Sequence, residues 1–116
     1  MKSKSDNSPV AAVRWADTNA IVEVVGDIDL PRSSVFQEEL MVLIEKKPGR
    51  IIVDLSGVPY MDSSGLASLV KLLSRSRKKG IPVSLAGLTE RVRSLFEITR
   101  LEKVFETHAT IAEALG

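Results

Sequence analysis

Apolar positions alternate along the chain between short β-type runs and longer helical periods. Residues 10–14 read as a strand leading to Trp15, and Ala16-Asp17-Thr18-Asn19 as a turn. Residues 20–25 carry Ile21, Val22, Val24 and Val25, the β-branched bulk of a second strand, so the short connection predicts an antiparallel hairpin. Gly26 breaks that strand. Pro31 beside Ser33-Ser34 marks a helix start, and Phe36, Leu40, Leu43 and Ile44 then recur at helical spacing. Lys46-Lys47-Pro48-Gly49 ends this helix. Ile51, Ile52, Val53 and Leu55 form a nearly continuous apolar run around Asp54, the pattern of a strand buried on both faces.

After Asp62-Ser63-Ser64-Gly65 comes a second helical period. Leu66, Leu69, Val70 and Leu73 are expected on one face, and Lys71, Arg75, Arg77 and Lys78 on the other. Gly80 suits a left-handed position after the last turn, and Pro82 prevents continuation. Residues 83–86 read as a fourth strand. A helix from about Thr89 turns Val92, Leu95 and Phe96 inward, residues 103–106 make a short fifth strand, and residues 110–115 a last short helix. The expected fold is therefore a single α/β domain over residues 9–116, with residues 1–8 as a tail. It has a mixed four- to five-stranded sheet and about four helices. Strands alternating with helices imply parallel neighbours joined by right-handed crossovers.

In such sheets, sites form at the carboxyl ends of the parallel strands. Gly26-Asp27-Ile28-Asp29 follows the second strand and Asp62-Ser63-Ser64 the third, so both segments are expected at one end of the molecule. Asp62 or Ser63 suffices to cap the helix, worth about 1 kcal/mol. Two adjacent hydroxyls exceed what one cap needs. Gly65 costs about 1 kcal/mol relative to alanine inside a helix, which suggests a close approach at that point. A hydroxyl at a helix N-terminus also tolerates a phosphate, because the amides and dipole there favour negative charge. Asp27 and Asp29 read either as docking residues or as a turn pair capping the next helix. Asp54 faces either a loop amide or the site.

Composition narrows the chemistry. The 116 residues are one domain's worth, 44% hydrophobic and 27% charged. With 16 basic and 15 acidic side chains, the net charge of +1 argues against a nucleic-acid binder. There is no cysteine, which removes disulfides and thiolate chemistry, and one histidine, His108, which removes multi-histidine metal sites within the chain. No cofactor or metal is expected. The N-terminus lacks a secretory apolar segment and no run is long enough for membrane insertion, so the expected location is the cytoplasm. A nucleophile elbow needs a glycine two residues to each side, where Ser63 has Met61 and Gly65 and Ser64 has Asp62 and Leu66, so neither fits; neither a phosphate loop nor a dinucleotide fingerprint is present. Trp15 reads as strand packing and His108 as a surface residue. The basic cluster Arg75, Arg77, Lys78 and Lys79 reads as a solvated helix end.

The run 51-IIVDLSGVPYMDSSGLASLVKLLSRSRKKGIPVSLAGL-88 resembles the STAS domain, in particular the bacterial anti-sigma-factor antagonists. The later 91-RVRSLFEITRLEKVF-105 and the upstream 26-GDID-29 support the resemblance, which extends over residues 10–115. Leu30-Pro31-Arg32-Ser33 departs from the polar residues that sporulation-type antagonists tend to carry there. The resemblance implies a non-enzymatic binding protein, controlled by phosphorylation and regulating sigma-factor-dependent transcription. Its implied partners are an anti-sigma factor that is also a serine kinase and a metal-dependent serine phosphatase. It places the phosphate on Ser63, with Ser64 as second choice, and partner contacts at Asp27, Asp29, Asp62, Ser63, Ser64 and Gly65. Other roles known for such domains, a non-switching scaffold subunit of a complex such as a lipid transporter or a nucleotide-binding module, remain alternatives.

Overall fold

The hairpin forms where the sequence places it. β1 (Val10–Ala16) and β2 (Asn19–Val25) pair antiparallel across Asp17-Thr18, and Asp17 takes the left-handed conformation (φ 57°) that the tight turn needs. The computed structural model describes residues 8–116. The expected tail thus lies outside the described residues except for Ser8. That residue is half-buried, and its hydroxyl donates to Glu39 at 2.5 Å.

The remaining elements follow as α1 (Leu30–Glu45), β3 (Arg50–Gly57), α2 (Ser63–Lys78), β4 (Val83–Ala86), α3 (Glu90–Ile98), a 3-10 turn at Leu101–Lys103, β5 (Glu106–His108) and α4 (Ile111–Leu115). The sheet order is β1-β2-β3-β4-β5, and every pair after the hairpin is parallel. The expected mixed α/β sheet is therefore present, with five strands.

Strand alternation splits the buried residues between two faces. Val22, Val24, Ile51, Val53, Leu55, Val83 and Leu85 join Phe36, Leu40 and Ile44 of α1, Leu66, Leu69 and Leu72 of α2, and Val92 and Phe96 of α3 in the main core. Ile21, Ile52 and Ala86 point the other way, onto Ala114 of α4. β3 is thus buried on both faces, as its apolar run predicts. α1 and α2 lie side by side, and the Ser68 hydroxyl donates across their contact to the Ser33 carbonyl at 3.2 Å. Phe96 packs edge-on against Phe105, centroids 5.6 Å apart, which fixes α3 to the chain leading into β5.

Three expectations need correction. Val70 is 38% exposed and Leu72 is fully buried instead, because the buried line of α2 runs through Leu66, Leu69, Leu72, Leu73 and Ser76 and leaves Val70 on its flank. Trp15 is 47% exposed on an edge strand rather than packed within the sheet. The fifth strand starts at Glu106, since Leu101–Lys103 wind into a 3-10 turn that carries Phe105 to the core first. His108 closes that strand half-buried, with Nε2 2.8 Å from Glu106 Oε2. Gly80 takes φ 72° after α2, the left-handed exit the sequence suggests. Among the described residues no helix is long and apolar enough to cross a membrane.

Candidate functional site

The carboxyl ends of β2 and β3 are joined beyond the sheet. The Ile28 amide donates to the Tyr60 carbonyl at 3.0 Å and the Asp62 amide to the Ile28 carbonyl at 3.1 Å, a parallel bridge between Ile28 and Met61. The Gly26 amide donates to the Gly57 carbonyl at 2.8 Å just before it. A third loop is attached as well, since the Thr89 hydroxyl ahead of α3 donates to the Val58 carbonyl at 2.8 Å. The two motif segments therefore do share one end of the molecule, in fixed register.

The helices that follow β2 and β3 both start on an aspartate. Asp29 caps α1, its Oδ1 accepting from the Arg32 amide at 3.3 Å, and Pro31 sits in the first turn where its missing N–H costs nothing. Asp62 caps α2, its Oδ1 accepting from the amides of Ser64 at 2.9 Å and Gly65 at 3.4 Å. The same oxygen accepts the Ser64 hydroxyl at 2.5 Å. That hydroxyl bond, with the two amide bonds, holds the Asp62 carboxyl below the ordinary carboxylate range against the opposing effect of burial. Asp62 is thus a carboxylate at neutral pH.

The two serines differ. Ser64 is half-buried and committed to Asp62. Ser63, the first residue of α2, is exposed, and its hydroxyl has no hydrogen-bond partner among the described residues. Gly65 is buried. A Cβ there would stand 2.6 Å from Met61 Cγ and 2.8 Å from Ile28 Cγ2, so the close approach its glycine signals is made by the protein's own bridge residues. Asp27 is exposed, and its carbonyl accepts from Arg32 Nη1 at 2.5 Å. Asp54 turns back on its own strand, its Oδ1 accepting from the Ser56 N–H of β3 at 3.0 Å, rather than from a loop amide.

Sequence reasoning missed the apolar surface around these groups. Leu30, 66% exposed at the first turn of α1, Val25 at 46% and Tyr60 at 39% lie on the two bridged segments. The available signal was Leu30 itself, a large apolar residue outside the buried period of α1. It also missed Arg32, whose guanidinium donates to the carbonyls of Val25 at 3.2 Å and Ser8 at 3.3 Å besides that of Asp27. The arrangement is a firm, exposed patch with one unengaged hydroxyl, flanking carboxylates and apolar side chains. It is suited to being bound and modified; no base is hydrogen-bonded to Ser63 among the described residues.

Comparison with known proteins bears on the family and the fold. The family model described as the STAS domain matches residues 11–114. The anti-sigma-B factor antagonist of Listeria monocytogenes is 35% identical over 105 residues, 90% of this chain and 92% of that protein. A crystal structure of an anti-sigma factor antagonist from Mycobacterium paratuberculosis superposes with a TM-score of 0.85 at 23% identity, over 97% of this chain and 96% of that one. The Bacillus cell fate determinant SpoIIAA in its phosphorylated form superposes with a TM-score of 0.71 at 17% identity, over 90% and 95% of the two chains.

Proposed function

The chain belongs to the STAS domain family, and on that premise we propose that it is an anti-sigma-factor antagonist switched by phosphorylation of Ser63. Unmodified, it binds an anti-sigma factor that is also a serine kinase, in the cytoplasm, and so frees a sigma factor. Phosphorylation of Ser63 by that kinase releases it, and a metal-dependent serine phosphatase restores it. The observation that carries this reading is the contrast at the start of α2: Ser63 offers an exposed hydroxyl with no hydrogen-bond partner among the described residues, while Ser64 is tied to Asp62. Its support from relatives is the 35% identity to the Listeria monocytogenes protein named an anti-sigma-B factor antagonist.

The physics of release follows from what surrounds Ser63. A phosphoserine carries about −1.5 to −2 charges at neutral pH. At other helix starts, free amides would neutralise part of that charge. Here the Ser64 and Gly65 amides already bond Asp62, so the phosphate meets an ionised carboxylate and an occupied cap. Its charge faces outward, into the surface that carries Leu30, Tyr60, Asp27 and Asp29. In a docked complex this adds like-charge repulsion and desolvation, and a loss of about 3 kcal/mol weakens binding about a hundredfold. The three hydrogen-bonded loops stay in place, so the domain remains folded while its partner leaves.

The test is site-mapped intact mass on protein from its own host, before and after phosphatase treatment, followed by pull-down with both forms. Expected are one phosphate on Ser63, a kinase retained by the unmodified form, and loss of that kinase in Ser63→Asp but not in Ser64→Ala. Phosphate confined to Ser64, or a kinase held equally by Ser63→Asp, sinks the proposal.

A further inference from the structure

The layer between α1 and the sheet is filled by α2 on one side and open on the other. β1 is an edge strand, paired with β2 and, among the described residues, with no strand beyond it. Alternation sends Val13 and Trp15, opposite Val22 and Ala20, to the face that α1 covers. There they line a groove of about 570 Å³ whose far wall is the stripe Glu38, Val42 and Lys46 of α1. Val13, Trp15 and Val42 are 40%, 47% and 60% exposed. The opposite edge differs: β5 has only three residues and α4 packs against it.

Val10 is bonded to Ser8 and the pairing shifts at a bulge between Val10 and Ala12, so the regular part of this edge is Ala12–Ala16; with an apolar groove above it, that stretch is a template for another strand, whose inward side chains would extend the core layer. We infer that the occupant is a second copy of this chain, with two β1 strands pairing antiparallel about a two-fold axis. Such pairing makes one continuous sheet with both α1 helices on the same face, and Val13 and Trp15 of each copy between them. Charge selects this occupant. β1 and α1 both run away from the Ser63 end, so a two-fold across the strands reverses one copy against the other. Glu38 of each copy then faces Lys46 of the other, acid to base twice over. A partner strand of one charge sign would satisfy only one end of the groove.

Sedimentation equilibrium tests this on the full chain, independently of any kinase. A dimer with a dissociation constant in the range of about 1 to 100 µM is expected. Lys46→Glu and Glu38→Lys each raise that constant about tenfold, because each sets two like-charge contacts in the interface. The chain carrying both substitutions returns to within about threefold of wild type. Trp15→Arg abolishes the dimer with its circular dichroism unchanged. A monomer at millimolar concentration overturns the inference, as does a dimer indifferent to all three changes. A monomer whose Trp15→Arg variant loses an anti-sigma partner also overturns it and gives the groove to that partner.

Discussion

Asp62 binds Ser64 twice, accepting its amide at 2.9 Å and its hydroxyl at 2.5 Å through one carboxylate oxygen. Two neighbouring serines thereby become unlike. One is a structural part of a helix cap, and the other is exposed, its hydroxyl without a hydrogen-bond partner among the described residues, beside Ser64 and Gly65 amides that already bond Asp62.

The cap makes stability depend on pH. The folded carboxyl of Asp62 lies below its ordinary value of 3.8, chiefly through the Ser64 hydroxyl, so the unfolded chain binds the proton first. Its contribution is therefore present above that value and lost as pH falls through the lower folded one. Urea midpoints taken from about pH 6 to about pH 2 should fall more steeply for wild type than for Asp62→Asn. Ser64→Ala should lie between the two. Identical slopes would show that the carboxylate does not carry the cap.

Gly65→Ala should destabilise the domain although alanine favours helix. The added Cβ would meet Met61 and Ile28 at 2.6 and 2.8 Å, an overpacking cost of about 1 to 3 kcal/mol. The helix gain offsets at most about 1 kcal/mol of it. A lower Tm together with weaker kinase capture is expected, since the same contact seats the bridge between the loops. An unchanged Tm would mean that the first turn shifts freely.

Arg32→Ala should loosen the segment between β2 and α1. Among the described residues its guanidinium links carbonyls of Ser8, Val25 and Asp27, drawn from two parts of the chain. Because these bonds are largely solvent-exposed, the expected stability loss is about 1 kcal/mol. Amide exchange should accelerate at Gly26 and Ile28 while the core amides of β3 keep their protection. Uniform acceleration across the domain would contradict this local role.

Ser76→Ala should stabilise. The Ser76 hydroxyl is fully buried in α2 and has no hydrogen-bond partner among the described residues. Removing it relieves an unsatisfied polar atom and improves helix propensity, together about 1 kcal/mol. A rise in Tm of several degrees is the expected reading. A fall would reveal a partner for that oxygen.

Periodicity alone was enough to place β1 to β4 and the first three helices, because long runs such as 51–55 and the spaced Phe36, Leu40, Leu43 and Ile44 answer to one core. It faltered where packing chooses between adjacent apolar residues, as with Val70 and Leu72. It also faltered near the C-terminus, where a 3-10 turn moved the last strand. At the candidate site, the motif located the serines but not their difference. That depends on where the Asp62 side chain turns, and no spacing encodes it. Leu30, Tyr60 and the carbonyl contacts of Arg32 lay equally outside reach, since exposure and carbonyl direction arise only once the two loops are joined.

The Ile28–Met61 bridge has a consequence for whatever enzyme reaches Ser63. The residue stands in the first turn of a helix whose start is bonded to a neighbouring loop, so it cannot be drawn out as an extended strand without breaking backbone hydrogen bonds. An enzyme that threads linear peptides would find nothing to thread. A short peptide copying residues 57–69 should therefore be a poor phosphate acceptor beside the intact domain, for it has the same letters and lacks the surface on which they are displayed.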